Sequence, residues 1–170
     1  MYIFYRIVNT IGITLFYYFC FMEINIRKAT KKVLPEVLVL IKELALFEKQ
    51  PQEVTITVQE LEKDGFGENP LFWIILAEKS NEIVGMSFYY IRYSTWKGRC
   101  LYLEDLVVKE AYKKQGIGKL LFEATISEAK KMNAKLMTWQ VLDWNEPAIN
   151  FYKKFKAELD DEWINGKIRF

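Results

Sequence analysis

The run Lys113-Lys114-Gln115-Gly116-Ile117-Gly118-Lys119 joins an apolar, strand-like stretch at residues 100–108 to a helical pattern that begins at Ile117. That junction can cradle a phosphate. Gly116 and Gly118 lack the Cβ atoms that would keep a ligand off the backbone, and the first-turn N–H groups of a helix have no partners within it. Those donors and the positive end of the helix dipole favour a pyrophosphate. A plain strand-to-helix connection is the alternative reading of the two glycines alone. The segment lacks the spacing and the Gly-Lys-Ser/Thr ending of a Walker loop, and it lacks the third glycine of a dinucleotide fingerprint. A nucleotide-bearing ligand other than ATP or NAD is implied. Upstream, Glu104 sits inside the apolar run, where burial raises a carboxylate's pKa and makes it a better proton acceptor. A Glu104 or Asp105 that faces solvent or pairs with Lys or Arg is the alternative there. The chain has no histidine, which removes imidazole ligands, Cys/His zinc sites and Ser-His or Cys-His catalytic pairs.

The elements that must position these groups follow from hydrophobic spacing. Residues 23–27 alternate as a first strand. Leu34, Val37, Leu38, Ile41, Leu44 and Ala45 repeat at helical intervals, with Pro35 tolerated in the first turn. Thr57 and Glu60 form a capping box that starts a short second helix. Residues 71–78 and 83–93 predict two strands joined across Ser80-Asn81-Glu82. Ile117, Leu120, Leu121 and Ala124 predict the buried stripe of a third helix, and Ala148, Phe151, Tyr152 and Phe155 that of a fourth. Between these two helices, residues 135–142 read as a strand. Asn165-Gly166 marks a final hairpin before Phe170. No repeat, low-complexity run or linker divides the chain. The order is mixed α/β, with antiparallel hairpins in the middle and βα units at the end.

After residues 135–142 the chain reads Asp143-Trp144-Asn145-Glu146-Pro147-Ala148-Ile149-Asn150-Phe151-Tyr152. With the glycine loop, this resembles the GNAT superfamily of acetyl-CoA-dependent N-acetyltransferases, through a Gln/Arg-x-x-Gly-x-Gly/Ala loop followed by Asn-x-x-Ala-x-x-Phe-Tyr. Tyr93-Ser94-Thr95-Trp96-Lys97-Gly98-Arg99, Tyr102-Leu103-Glu104-Asp105, Asp64-Gly65-Phe66-Gly67-Glu68 and Val141-Leu142-Asp143-Trp144-Asn145 look like its diamine (spermidine/spermine) and thialysine branch. Ser-Thr-Trp-Lys-Gly-Arg favours the thialysine side. The resemblance implies a strongly bent α/β sheet with flanking helices, whose fourth and fifth strands splay apart. It also implies acetyl-CoA as co-substrate and no metal. The pantetheine arm is expected in the gap, against backbone groups of Leu106, Val107 and Val108, and the phosphates at Lys113, Lys114, Gln115, Gly116, Ile117, Gly118 and Lys119. Asn145 is expected to cap the fourth helix and to reach the cofactor. Two positions depart from the pattern. Lys113 stands where the family has Arg or Gln, which keeps a donor but loses the planar fork of Arg. Ser94 stands where polyamine acetylators of this branch carry Asp, which puts long polycationic substrates in doubt.

Moving an acetyl group from a thioester to an amine poses two proton problems. An alkyl amine with pKa about 10.4 is roughly 3.4 units from neutrality, so presenting it uncharged costs roughly 4.6 kcal/mol. Within the resemblance Glu104 is the candidate base, acting directly or through water. Tyr152 is the candidate acid for the departing thiolate, against the alternative of a core tyrosine on an apolar helical stripe. Glu48 matches a carboxylate that binds the far ammonium in this branch, and a solvated helix-end glutamate is the other reading. Trp96 is a candidate apolar or cation–π wall for the substrate stem, with edge packing as its rival. The implied activity is acetylation of a primary amine on a small diamine-like molecule or amino acid. A protein amine, or a CoA-binding regulatory module without turnover, is the alternative.

At 170 residues and 51% hydrophobic, the chain can bury one core without disulfide staples. Cys20 and Cys100 form no framework and suit a reducing, cytoplasmic compartment. The charge is nearly balanced, 24 Lys plus Arg against 22 Asp plus Glu, which argues against a nucleic-acid surface and leaves the loop lysines to cofactor phosphates. Residues 1–21 are apolar with Arg6 as their one charge. Asn9, Thr10 and Thr14 keep the uninterrupted stretch short of the roughly 20 residues a membrane span needs. A misplaced start or an extension outside the domain is the first reading, ahead of a membrane anchor and of an ordered helix. Residues 22–170 then form one N-acetyltransferase domain, and membership of the branch implies a homodimer.

Overall fold

The computed structural model describes residues 24–169, so the expectation for residues 1–21 lies outside the described residues. Five strands, β1 (Asn25–Lys28), β2 (Trp73–Lys79), β3 (Glu82–Ser94), β4 (Gly98–Val108) and β5 (Leu136–Thr138), form one sheet in that order. Four α-helices flank it: α1 (Leu34–Phe47), α2 (Val58–Phe66), α3 (Ile117–Lys131) and α4 (Glu146–Lys153). The first four strands pair antiparallel, and α3 is the crossover that returns β5 parallel to β4.

Local chemistry explains the elements that sequence spacing predicted. The Thr57 hydroxyl accepts the Glu60 N–H at 3.2 Å and the Glu60 carboxylate accepts the Thr57 N–H at 2.8 Å, a reciprocal cap for α2. Ser80 and Asn81 take φ values of 51° and 65° between the paired ends Lys79 and Glu82. Two left-handed residues make the turn whose twist matches a two-residue hairpin. The sheet is buried on both faces. Ile74 and Leu76 face Leu34, Val37, Leu40 and Leu61 of α1 and α2, while Ile75 and Ala77 face Ile117, Leu121 and Phe122 of α3.

Alternation in β4 breaks at one residue. Leu101 and Leu103 pack into the α3 core, and so do Leu106 and Val108, whereas Val107 joins the α1 core. The register shows why: Tyr89 pairs with Leu103 and Phe88 with Asp105, so Glu104 is an extra residue, a β-bulge.

Four sequence expectations are corrected. The fifth strand covers Leu136–Thr138 instead of residues 135–142, because it pairs with Cys100, Leu101 and Tyr102 and then parts from β4. A strand lasts only where it has a partner. Leu120 is 40% exposed; about 100° per residue carries it off the stripe centred on Ile117, Leu121, Thr125 and Glu128. β2 starts at Trp73, because Leu71 is exposed and its N–H is taken by the Asp64 carbonyl. No strand forms around Asn165-Gly166 among the described residues. The preceding acidic stretch, residues 158–162, is exposed and has no apolar face to hold it against the sheet.

Candidate active site

The edge of β4 that faces β5 is paired only at Cys100, Leu101 and Tyr102, so residues 103–108 have no strand on that side. Leu106, Val107 and Val108 lie opposite Ser87, Met86 and Gly85 of β3, and their backbone groups alternate between that strand and the open edge. Where the strands part, Thr138 Oγ1 and Trp139 Nε1 are buried without a hydrogen-bond partner. Buried polar atoms are rarely left so.

At the far end of the gap the glycine loop meets α3. Gly116 has φ 85° and is the N-terminal residue of that helix, with no side chain capping it. The Leu120 N–H reaches the Gly116 carbonyl at 3.2 Å, so the N–H groups of Ile117, Gly118 and Lys119 precede the first intrahelical bond. A Cβ built on Gly118 would lie 3.8 Å from Val108 Cγ2, in open contact range, so the glycine is not required by packing. No acidic residue occupies the first turn. This cradle, which a side chain would fill, fits a pyrophosphate. Ile117 contributes only backbone, since its side chain is buried. Lys114, at φ 62°, and Lys119 are exposed beside the turn. Gln115 is engaged with Lys79 and the Ala111 carbonyl. Lys113 is drawn aside: its ammonium lies 2.6 Å from the Glu110 carboxylate and 5.1 Å from the Phe47 ring centre.

Between these ends three carboxyl groups act on one another. Glu48 follows α1, and the bulge presents Glu104 and Asp105 in succession. Burial and the Glu104 charge raise the pKa of Glu48, and burial raises that of Glu104. Asp105 is pushed up to about 7 by burial, then by Glu104 and Glu48. Among the described residues none of the three makes an ion pair or a side-chain hydrogen bond, and no group of three acidic, Cys or His residues is spaced to hold a metal ion. A carboxyl whose folded pKa exceeds its unfolded value favours folding less as pH rises from its ordinary range through the folded pKa. Asp105→Asn is therefore expected to stabilise the protein by roughly 1–3 kcal/mol at pH 8, a gain that shrinks towards pH 5. Thermal melts at the two pH values check it, and a variant less stable than wild type at pH 8 would contradict the assignment.

Tyr152 enters from α4 and is buried. Its ring centre lies 4.8 Å from Trp139, 5.2 Å from Phe151 and 5.4 Å from Phe122. Burial, then the Asp105 charge, pushes its phenol up to about 12, so it is protonated at neutral pH. Asn145 caps α4, its Oδ1 accepting the Ala148 N–H at 3.3 Å. Trp96 is not brought to this place. It is 83% exposed at the tip of the β3–β4 hairpin, and six residues of strand from Gly98 put Glu104 roughly 20 Å away. Ser94 closes that tip, its hydroxyl accepting the N–H groups of Trp96 and Lys97, each at 3.2 Å. Sequence reasoning passed over Asp105, although an adjacent Glu-Asp pair inside an apolar strand was the available signal.

The Acetyltransferase (GNAT) family profile matches residues 38–156. The thialysine N-epsilon-acetyltransferase of Mus musculus is 38% identical over 142 residues, covering 79% of this chain and 84% of that protein. The spermidine/spermine N(1)-acetyltransferase-like protein 1 of Homo sapiens is 38% identical over 135 residues, which span 75% of this chain and 19% of that longer protein. Among solved structures, an aminoglycoside N-acetyltransferase in complex with CoA superposes with a TM-score of 0.70 at 17% identity, covering 87% of this chain and 96% of its own; at that identity it speaks for the fold. A profile match across most of the chain, on a sheet that parts between β4 and β5, makes this chain a member of the GNAT family of acetyltransferases.

Proposed function

We propose that this N-acetyltransferase moves the acetyl group of acetyl-CoA to a primary amine of a small diamine-like or amino-acid substrate, by direct attack. The observation that carries the reading is the meeting, at one parting of strands, of a phosphate cradle, a buried phenol and three carboxylates without cations. Bound acetyl-CoA supplies a carbonyl activated as a thioester. The backbone donors at Ile117, Gly118 and Lys119 hold the phosphates, with the exposed Lys114 and Lys119 at hand and Lys113 joining them only by leaving Glu110, and the open β4 edge between Leu106 and Val108 offers hydrogen bonds to the amide arm. Asn145 orients the start of α4 and with it Tyr152. Glu104 receives the amine's proton, directly or through water, and Tyr152 gives one to the leaving sulfur. Glu48 attracts a second positive charge on the substrate. The free, buried Cys100 fits a reducing, cytoplasmic setting.

Release of free CoA thiol from acetyl-CoA, measured over a panel of amines, tests this reading. No release with any amine would leave a binding module without turnover, and release only with peptides would move the substrate to a protein amine. Substrate length follows from charge. Glu48 suits one charge beyond the reacting amine, and Ser94, at the same distant hairpin tip as Trp96, closes the turn with a hydroxyl and offers no carboxylate to a further ammonium. A thioether near the amine, as in thialysine, also lowers its pKa and its deprotonation cost. The expected result is a higher kcat/KM for thialysine or a short diamine than for spermine, with the preference weakened by Glu48→Gln. Spermine as the better substrate, or no effect of Glu48→Gln, would sink it.

A further inference from the structure

The bulge in β4 does more than insert a residue. Neighbours on a regular strand point to opposite faces, and here Glu104 is the inserted residue while Asp105 resumes the pairing opposite Phe88. Two carboxyl groups thereby come one after the other on the same stretch of strand, beside the open edge of the gap. The Asp105 carboxyl is the more withdrawn from water. The groups that face the pair are themselves anionic or neutral: Glu48 at the end of α1, Tyr152 on α4, and the stacked Tyr90 and Tyr102, whose ring centres are 5.1 Å apart. Arg92 acts on those two tyrosines and pairs with neither carboxylate. Adjacent carboxyl groups without a cation titrate as a unit, the second proton leaving against the charge left by the first.

Resting on the acetyl-transfer reading above, we infer that Asp105 is a positioning residue for proton transfer: its charge sets how strongly Glu104 draws the proton of the substrate amine. With Asp105 protonated, Glu104 is the weaker acceptor. With Asp105 ionised, the second negative charge makes Glu104 the stronger one and deepens the attraction for the incoming ammonium. The balance is simple. An N–H bond of the ammonium breaks and an O–H bond forms on Glu104, whose proton then passes to water, and no electrons change hands. Asp105, pushed up to about 7, changes charge in the neutral range, and Glu104 is itself raised by burial.

The test compares wild type and Asp105→Asn on one amine from about pH 5 to about pH 9, because the ratio of their kcat/KM values cancels the ionisation of the substrate itself. The ratio of wild type to variant should rise roughly three- to tenfold across that range, the effect of one neighbouring charge. A merely structural Asp105 gives a ratio constant with pH, which overturns the inference. Should the variant fail to fold, carbon-13 NMR of the Asp105 carboxyl in the wild-type protein decides. It should titrate near neutrality, and its midpoint should fall in Glu104→Gln. A midpoint in the ordinary carboxylate range, or one indifferent to Glu104→Gln, overturns the inference. The NMR arm needs no turnover, so an enzyme silent towards every amine would refute the acetyl-transfer reading and still leave the carboxyl coupling measured.

Discussion

Tyr152→Phe is expected to lower kcat by roughly 10²- to 10⁴-fold while leaving the melting temperature almost unchanged. The ring is surrounded by Phe122, Trp139 and Phe151, and phenylalanine keeps each of those contacts. Only the hydroxyl is lost. Because burial and the Asp105 charge hold its proton in place at neutral pH, wild-type enzyme enters each turnover with a donor, and the variant has none. An intermediate loss accompanied by a drop of many degrees in melting temperature would assign the oxygen to packing. Full activity would return the whole side chain to the core.

The other large effect lies at the glycine loop. Gly118→Leu should weaken acetyl-CoA binding by at least about 100-fold, since the side chain would displace the phosphates from several backbone donors, each such bond to a charged group being worth roughly 1.5–3 kcal/mol. The fold should survive. A Cβ at Gly118 meets only Val108 Cγ2, at 3.8 Å, in ordinary van der Waals contact. Titration calorimetry with acetyl-CoA, beside a thermal melt, reads both halves of the expectation. Unchanged affinity in a folded variant would move the cofactor elsewhere. Gly116 is a poorer choice for the experiment, because its φ of 85° strains any other residue even with nothing crowding the site.

Sequence made the locally determined features readable. The Thr57 cap, the Ser80-Asn81 turn, the start of α3 and the Asn145 end of α4 each depend on residues within a few positions of one another. Features set by distant partners were less so. The length of β5 depends on where β4 leaves it, and that divergence is written in neither strand. Leu120 and Leu121 are equally apolar, and only the placement of α3 against the sheet decides which one is buried. Glu104 was singled out from its apolar surroundings, but the bulge that sets Asp105 beside it appears only in the pairing of β4 with β3. Trp96 is the opposite case, a residue promising by type that a hairpin carries to an exposed tip, far from the carboxylates within one chain.

The bulge also bears on how such a protein can change over generations. Most of β4 tolerates exchange of one apolar residue for another, but the count of residues between Leu103 and Leu106 works like a reading frame. Pairing the strand at its present length without the bulge would turn everything downstream over, Asp105 towards the α3 core and Leu106 and Val108 towards α1, while losing Glu104 would keep those faces and remove the candidate base. An insertion or deletion there differs in kind from one in the exposed hairpin tip, where length is forgiving. Variation in substrate can therefore accumulate through replacements at the mouth of the cleft, whereas the spacing of this strand is heritable only as a whole number that must stay fixed.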